Sequence, residues 1–148
     1  MKITLKEQAK SEPEVIIIYP KMDDGIKSLV KKIRDMDATF SVKDGDEQIL
    51  LHINDIYYIE TVERKTFVYT RDGVYRTGKK YSTICDELEK YDFVPVSRSC
   101  TLNVNVLESI KTIHNSRLEG TLCNGEKINI SRTYMKGIRK IFDRGENE

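Results

Sequence analysis

Phe93-Val94-Pro95-Val96-Ser97-Arg98-Ser99-Cys100-Thr101-Leu102-Asn103-Val104 is an apolar strand pattern broken at its centre by small hydroxyl residues and one arginine. Val94, Val96, Leu102, Val104 and Val106 keep a period near two, with Ser97, Arg98, Ser99 and Thr101 set between them, which predicts two short strands joined by a polar turn. Such a turn suits a phosphate. Serine hydroxyls and free backbone N–H groups donate to phosphate oxygens, and an arginine either clamps a phosphate or forks onto O6 and N7 of a guanine. On this stretch alone a surface loop with a solvated arginine is the commoner explanation, so the flanking sequence has to decide.

Upstream, the period is that of strands from Thr39 onward: Thr39 to Lys43, an Asp44-Gly45 turn, Glu47 to Ile53, Ile56 to Val62 and Thr66 to Thr70, with Asp72-Gly73 turning the chain into Val74 to Thr77. Glu63-Arg64-Lys65-Thr66 is a polar break in this meander and predicts a protruding loop with two cations. Tyr57, Tyr58, Phe67, Tyr69 and Tyr75 are residues that strands pack well. Ser82 is the expected cap of a helix of about three turns, with Tyr81, Ile84, Cys85, Leu88 and Tyr91 on its core face. Its outer face, with Asp86, Glu87, Glu89 and Asp92, repels phosphates and argues against a recognition helix.

Downstream, Ser109 to His114, Arg117 to Leu122 and Glu126 to Ile130 predict three more strands, linked by Asn115-Ser116 and by the hairpin signature Asn124-Gly125. Ser131 is placed to cap a short closing helix with Arg132 at its open N-terminal end, and Asp143 to Glu148 is expected to be a frayed polar tail. At the other end of the chain, Ile3 with Leu5 and Val15 to Ile18 predict two short strands. After Pro20 an amphipathic helix follows, capped by Asp23 or Asp24, with Ile26, Leu29, Val30, Ile33 and Met36 on one face.

The 148 residues suffice for one domain with a small extension, and 39% apolar with 33% charged residues places the chain among globular proteins. The longest apolar run, Val15 to Tyr19, is far shorter than a membrane span, and the first residues lack the apolar core of a signal peptide, so a cytoplasmic location is expected. Cys85, Cys100 and Cys123 are odd in number and form no CxxC pair, which leaves reduced structural thiols as the default. Charge is unevenly spread. Residues 41–96 carry 8 Lys and Arg against 11 Asp and Glu, whereas residues 97–142 carry 8 against 3, the basic bias that a nucleic-acid footprint requires. His52 and His114 pair with no nucleophile, and there is no Gly-rich phosphate loop, HExxH pair, zinc-finger spacing or helix-turn-helix pattern. An enzyme, a metal, a cofactor and a small-molecule substrate are therefore not expected. Any DNA contact has to come from loops on a β scaffold.

In this setting the residues carry a family pattern. Asp55-Ile56-Tyr57-Tyr58-Ile59-Glu60, the helix Tyr81 to Tyr91, Phe93-x-x-Val-Ser-Arg-Ser-x-x-Leu-Asn103, Asn124-Gly125 and Ile130-Ser131-Arg132-x-Tyr134 follow in an order and spacing that resembles the LytTR DNA-binding domain of bacterial transcription regulators, from about Leu50 to Phe142. The resemblance implies a mainly β fold, antiparallel and elongated, with one main helix, whose loops enter successive major grooves of bent double-stranded DNA. It implies DNA-reading positions at Arg64, Lys65 and Thr66, at Ser97, Arg98 and Ser99, and at Arg132. With the loops so placed, Ser97, Ser99, Asn103, Tyr134 and Lys136 are expected to hold phosphates or support the loops. Pro95 stands where the family usually has a basic residue, Ser97 where it has His, and Cys100 where it has an aromatic.

The domain is expected over residues 41–148, with residues 1–40 as a strand-strand-helix extension too short for a receiver domain. That pattern looks like a stand-alone regulator working as a homodimer, its extension serving dimerisation or docking of a membrane-embedded inhibitory protein. The alternative is a protein-interaction or ligand-sensing β module whose basic face meets an acidic partner.

Overall fold

The computed structural model describes residues 1–114 and 117–146, so the Asn115-Ser116 link and residues 147–148 lie outside the described part. The chain divides into two units, residues 1–33 and residues 34–148, a division seven residues earlier than the pattern-based boundary after residue 40.

In the first unit only the helix forms. Helix α1 (Asp24–Arg34) is capped by Asp23, whose Oδ1 accepts from the N–H of Ile26 at 2.8 Å. Ile26, Leu29, Val30 and Ile33 are half-buried, Met36 beyond the helix is exposed, and no residue of α1 is fully buried. The two expected strands at Ile3 to Leu5 and Val15 to Ile18 are absent. Ile3, Leu5, Val15, Ile16 and Ile18 are exposed, and among the described residues no strand pairs with them. Strand propensity without a partner leaves every backbone N–H and C=O to water, and the ladder does not form.

The second unit is antiparallel throughout. Strands β1 (Thr39–Asp44) and β2 (Glu47–His52) form a hairpin that turns at Gly45, whose φ of 63° suits glycine. The central sheet holds β3 (Ile56–Val62), β4 (Lys65–Thr70), β5 (Val74–Thr77), β6 (Phe93–Ser97) and β7 (Cys100–Asn103) in the order β5-β4-β3-β7-β6. A third sheet holds β8 (Leu107–Ile113), β9 (Arg117–Leu122) and β10 (Lys127–Ile130) in the order β10-β9-β8. Pro95 sits in edge strand β6, where a missing N–H costs no interior ladder bond.

Two apolar clusters hold the layers together. One joins Phe40 and Val42 of β1 to Ile59, Val68 and the helix residues Ile84 and Leu88; the other joins Val96 and Leu102 to Leu118, Leu122, Ile130 and Ile138. β3 feeds both, which explains why its first four residues are all buried rather than alternating. Helix α2 (Tyr81–Leu88) runs on through a 3-10 turn to Tyr91, giving the expected three turns. It starts one residue before Ser82, however, with Lys80 at the cap position and no side-chain hydrogen bond there. Cys85, expected in the core, is half-buried.

The closing helix α3 (Met135–Glu146) is longer than a short turn and takes up residues read as a frayed tail. Ile138 is buried, and Met135, Ile141 and Phe142 pack on the second cluster, which holds the helix where its polar residues alone would not. Among the described residues no helix is long and apolar enough to cross a membrane.

Candidate nucleic-acid interface

One end of the central sheet gathers its cations by register. β3 ends at Val62 opposite Lys65, the start of β4, so the turn between them is only Glu63 and Arg64, with φ of 51° and 65°. Two successive left-handed residues make the two-residue hairpin turn that usually selects Asn and Gly. Here they are a glutamate and an arginine, and the arginine is exposed. β7 pairs with β3 through Glu60 and Cys100, and the N–H of Thr61 donates to the Ser99 carbonyl at 2.8 Å, so the Arg98-Ser99 turn lies at this same end. Thr66 pairs with Thr77, which brings the β5–α2 corner beside them. The N–H of Ser131 donates to the Val96 carbonyl at 2.8 Å and sets Ser131-Arg132 against the end of β6. With neighbouring strands about 4.8 Å apart, the five strands present an edge roughly 20 Å wide.

The expected site residues divide into three kinds. Arg64, Lys65, Arg98, Arg132 and Lys136 are exposed cations, four of them at the sheet end and Lys136 on α3. Ser97 and Ser99 are half-buried and partly committed to each other: the Ser99 N–H donates to Ser97 Oγ at 3.3 Å, and the two hydroxyls lie 3.4 Å apart, which shapes the turn. Tyr134 is half-buried against the second cluster, its N–H donating to the Ser131 carbonyl at 2.9 Å.

Thr66, expected to read DNA, and Asn103, expected to hold a phosphate or support the loops, are both buried. Thr66 is buried at 4% exposure, facing inward from β4 because its alternation in the strand points away from the neighbouring Lys65. Asn103 is 2% exposed. Its Nδ2 donates to the Ile56 carbonyl at 3.0 Å and its Oδ1 accepts from the Asn105 N–H at 3.0 Å, so the amide ties β7 to the start of β3. Ser131 holds the cap position of the 3-10 turn Arg132–Tyr134, yet its side chain makes no capping bond.

Other basic residues reach the same region without having been expected there. Arg117 and Arg132 line an open depression of about 400 Å³ with Asn129, Ile130 and Ser131. Arg76, Lys79 and Lys80 stand at the β5–α2 corner. The Lys79-Lys80 pair just before a helix was a visible signal, but its place beside Arg64 depended on pairing across β4 and β5.

Beneath the surface, the Tyr58 ring stacks on Tyr69 with centroids 4.2 Å apart, and its O–H donates to Glu126 at 2.6 Å. Burial, and then that carboxylate, raise the Tyr58 hydroxyl above its ordinary value, so it stays a donor. Burial, helped by Glu60, pushes the Cys100 thiol up to about 12.

The family model for the LytTr DNA-binding domain matches residues 46–143. The chain belongs to the LytTR family. Among relatives, this LytTR chain is 31% identical over 94 residues to the sensory transduction protein LytT of Bacillus cereus, covering 64% of the chain and 38% of LytT. It is 32% identical over 110 residues to the transcriptional regulatory protein YpdB of Escherichia coli, covering 74% of the chain and 45% of YpdB. The chain thus spans less than half the length of either. A third relative, an HTH-type transcriptional regulator of Staphylococcus aureus, is 23% identical over 143 residues, covering 95% of the chain and 97% of that protein. In fold, the LytTR unit matches the solved LytTr DNA-binding domain of a Bacillus cereus protein with a TM-score of 0.63 at 24% identity, over 70% of this chain and 95% of that one.

Proposed function

We propose that this LytTR chain is a sequence-specific, DNA-binding transcriptional regulator that reads paired sites as a homodimer through loops in the major groove of double-stranded DNA. The observation that carries the reading is the convergence of Arg64, Lys65, Arg98 and Arg132 on one end of the central sheet, from three hairpin or strand-end positions far apart in sequence. Arg98 and Arg132 contact base edges, since each is exposed at a turn and held by a backbone hydrogen bond nearby. Lys65 and Lys136 hold phosphates. The α1 stripe serves contact with a second copy or with a membrane-embedded inhibitory protein, and a truncation starting near Thr39 that stayed fully dimeric and fully regulated would refute that role.

The test is selection of bound duplexes from a random pool at physiological salt. Enrichment of a motif repeated at about one or two helical turns is the expected result. Salt-sensitive retention without enrichment would instead identify a basic interaction module.

A further inference from the structure

The β5–α2 corner is more strongly cationic than the turns already assigned. An open depression of about 470 Å³ there is lined by eleven residues, of which Arg64, Lys65, Arg76, Lys79 and Lys80 are basic and none is acidic. Lys79 is partly satisfied: its Nζ lies 3.3 Å from Glu87 Oε2 and 4.6 Å above the Phe40 ring. The other four have no carboxylate within ion-pair distance among the described residues. Like charges lining one depression repel one another, the more so the closer they lie relative to the Debye length of about 8 Å at physiological salt, and an arriving anion relieves that repulsion. The same depression is lined by Ser82 in the first turn of α2, a helix with no side chain on its cap and hence N–H groups free for an anion.

We propose that this corner is a second DNA-contact site, one that takes a phosphodiester of the duplex backbone without reading sequence, with Arg76 and Lys80 as its own cations. The inference rests on the DNA-binding reading above and extends it beyond the turns that reading uses. The backbone of a duplex fits better than a free phosphate ion because the depression is open and continuous, through Thr61 and its bond to Ser99, with the row that ends at Arg132. A charged polymer running along the sheet end meets both.

Arg76 and Lys80 are exposed, so their replacement should leave the fold intact, which melting curves check. The test compares the parent chain with Arg76→Gln/Lys80→Gln on its selected duplex and on a scrambled duplex across a salt series. The double variant should bind both duplexes more weakly by the same factor, keep the selected motif, and show a log K against log salt slope flatter by about 0.9 for each phosphate no longer neutralised. Arg76→Lys/Lys80→Arg should recover most of the parental slope. A parent that selects a motif while the neutral variant keeps the parental slope would overturn this site alone; so would a weakening confined to the selected duplex, which marks base reading. A parent that retains no duplex would overturn the DNA-binding reading and this site with it.

Discussion

The backbone N–H of Ser131 donates to the carbonyl oxygen of Val96 at 2.8 Å, joining the strand before Arg98 to the residue before Arg132. Two arginines separated by more than thirty positions are thereby held at one end of the sheet. Ser131 sits at φ −67° and ψ 149°, a conformation that proline also adopts. Ser131→Pro should therefore keep the fold while deleting the donor, at a cost of about 1–3 kcal/mol for the orphaned carbonyl. Urea unfolding measures that cost. Duplex titration should show a larger drop in affinity on the selected motif than on scrambled DNA; equal drops would mean that the Arg132 position does not depend on this bond.

Base reading and phosphate holding separate in a pair of single variants. Arg98→Ala should cost about 1–3 kcal/mol and relax selection at one base pair. Lys136→Ala should weaken all sequences alike and flatten the salt slope by about 1. Selection repeated on both variants checks this, and an Arg98→Ala motif identical to the parent's would demote Arg98 to a phosphate contact.

The Glu63-Arg64 turn holds two side-chain-bearing residues in the left-handed region. Arg64→Gly relieves one of them and should raise stability by up to about 1 kcal/mol while weakening duplex binding. Denaturant midpoints and binding measured on the same samples should move in opposite directions. A drop in both would show that the arginine side chain supports the hairpin itself.

Asn103→Ala leaves the Ile56 carbonyl and the Asn105 N–H without their partner. A destabilisation of about 2–4 kcal/mol is expected for two such groups. Affinity per folded molecule should stay near the parental value because the amide is buried. Weakened binding at full stability would restore Asn103 to the contact surface.

The Cys100 thiol is pushed up to about 12 by burial, with Glu60 adding to it. The folded chain therefore keeps a proton that the unfolded chain releases from about pH 9.0 upward, so this contribution to stability is full below about pH 9.0 and is lost as pH rises toward about 12. Urea midpoints just above pH 9 should fall more for the parent than for Cys100→Ala. Parallel pH profiles for the two chains would remove Cys100 from the effect.

Most strands of the second unit were determined by local sequence. Ile56–Val62, Val74–Thr77 and Arg117–Leu122 begin and end where alternation and turn residues place them, and Asp23 caps α1 as its spacing requires. These signals act over a few residues, through side-chain alternation and through hydrogen bonds to nearby backbone, so they survive without knowledge of the rest of the chain. The Phe93 to Val104 stretch likewise formed its two strands and its Arg98-Ser99 turn.

What tertiary structure alone decided is which ends of those strands meet. Val15 to Ile18 has strand-forming residues and forms none, because a strand is completed by a partner rather than by its own composition. Thr66 and Asn103 carry groups suited to a phosphate, yet pairing and packing turn them inward, while Arg76, Lys79, Lys80 and Arg117 come to the sheet end through register with distant strands. Cross-strand register couples residues far apart in sequence, and no local period encodes it; the basic edge of this LytTR chain exists only once the sheet has closed.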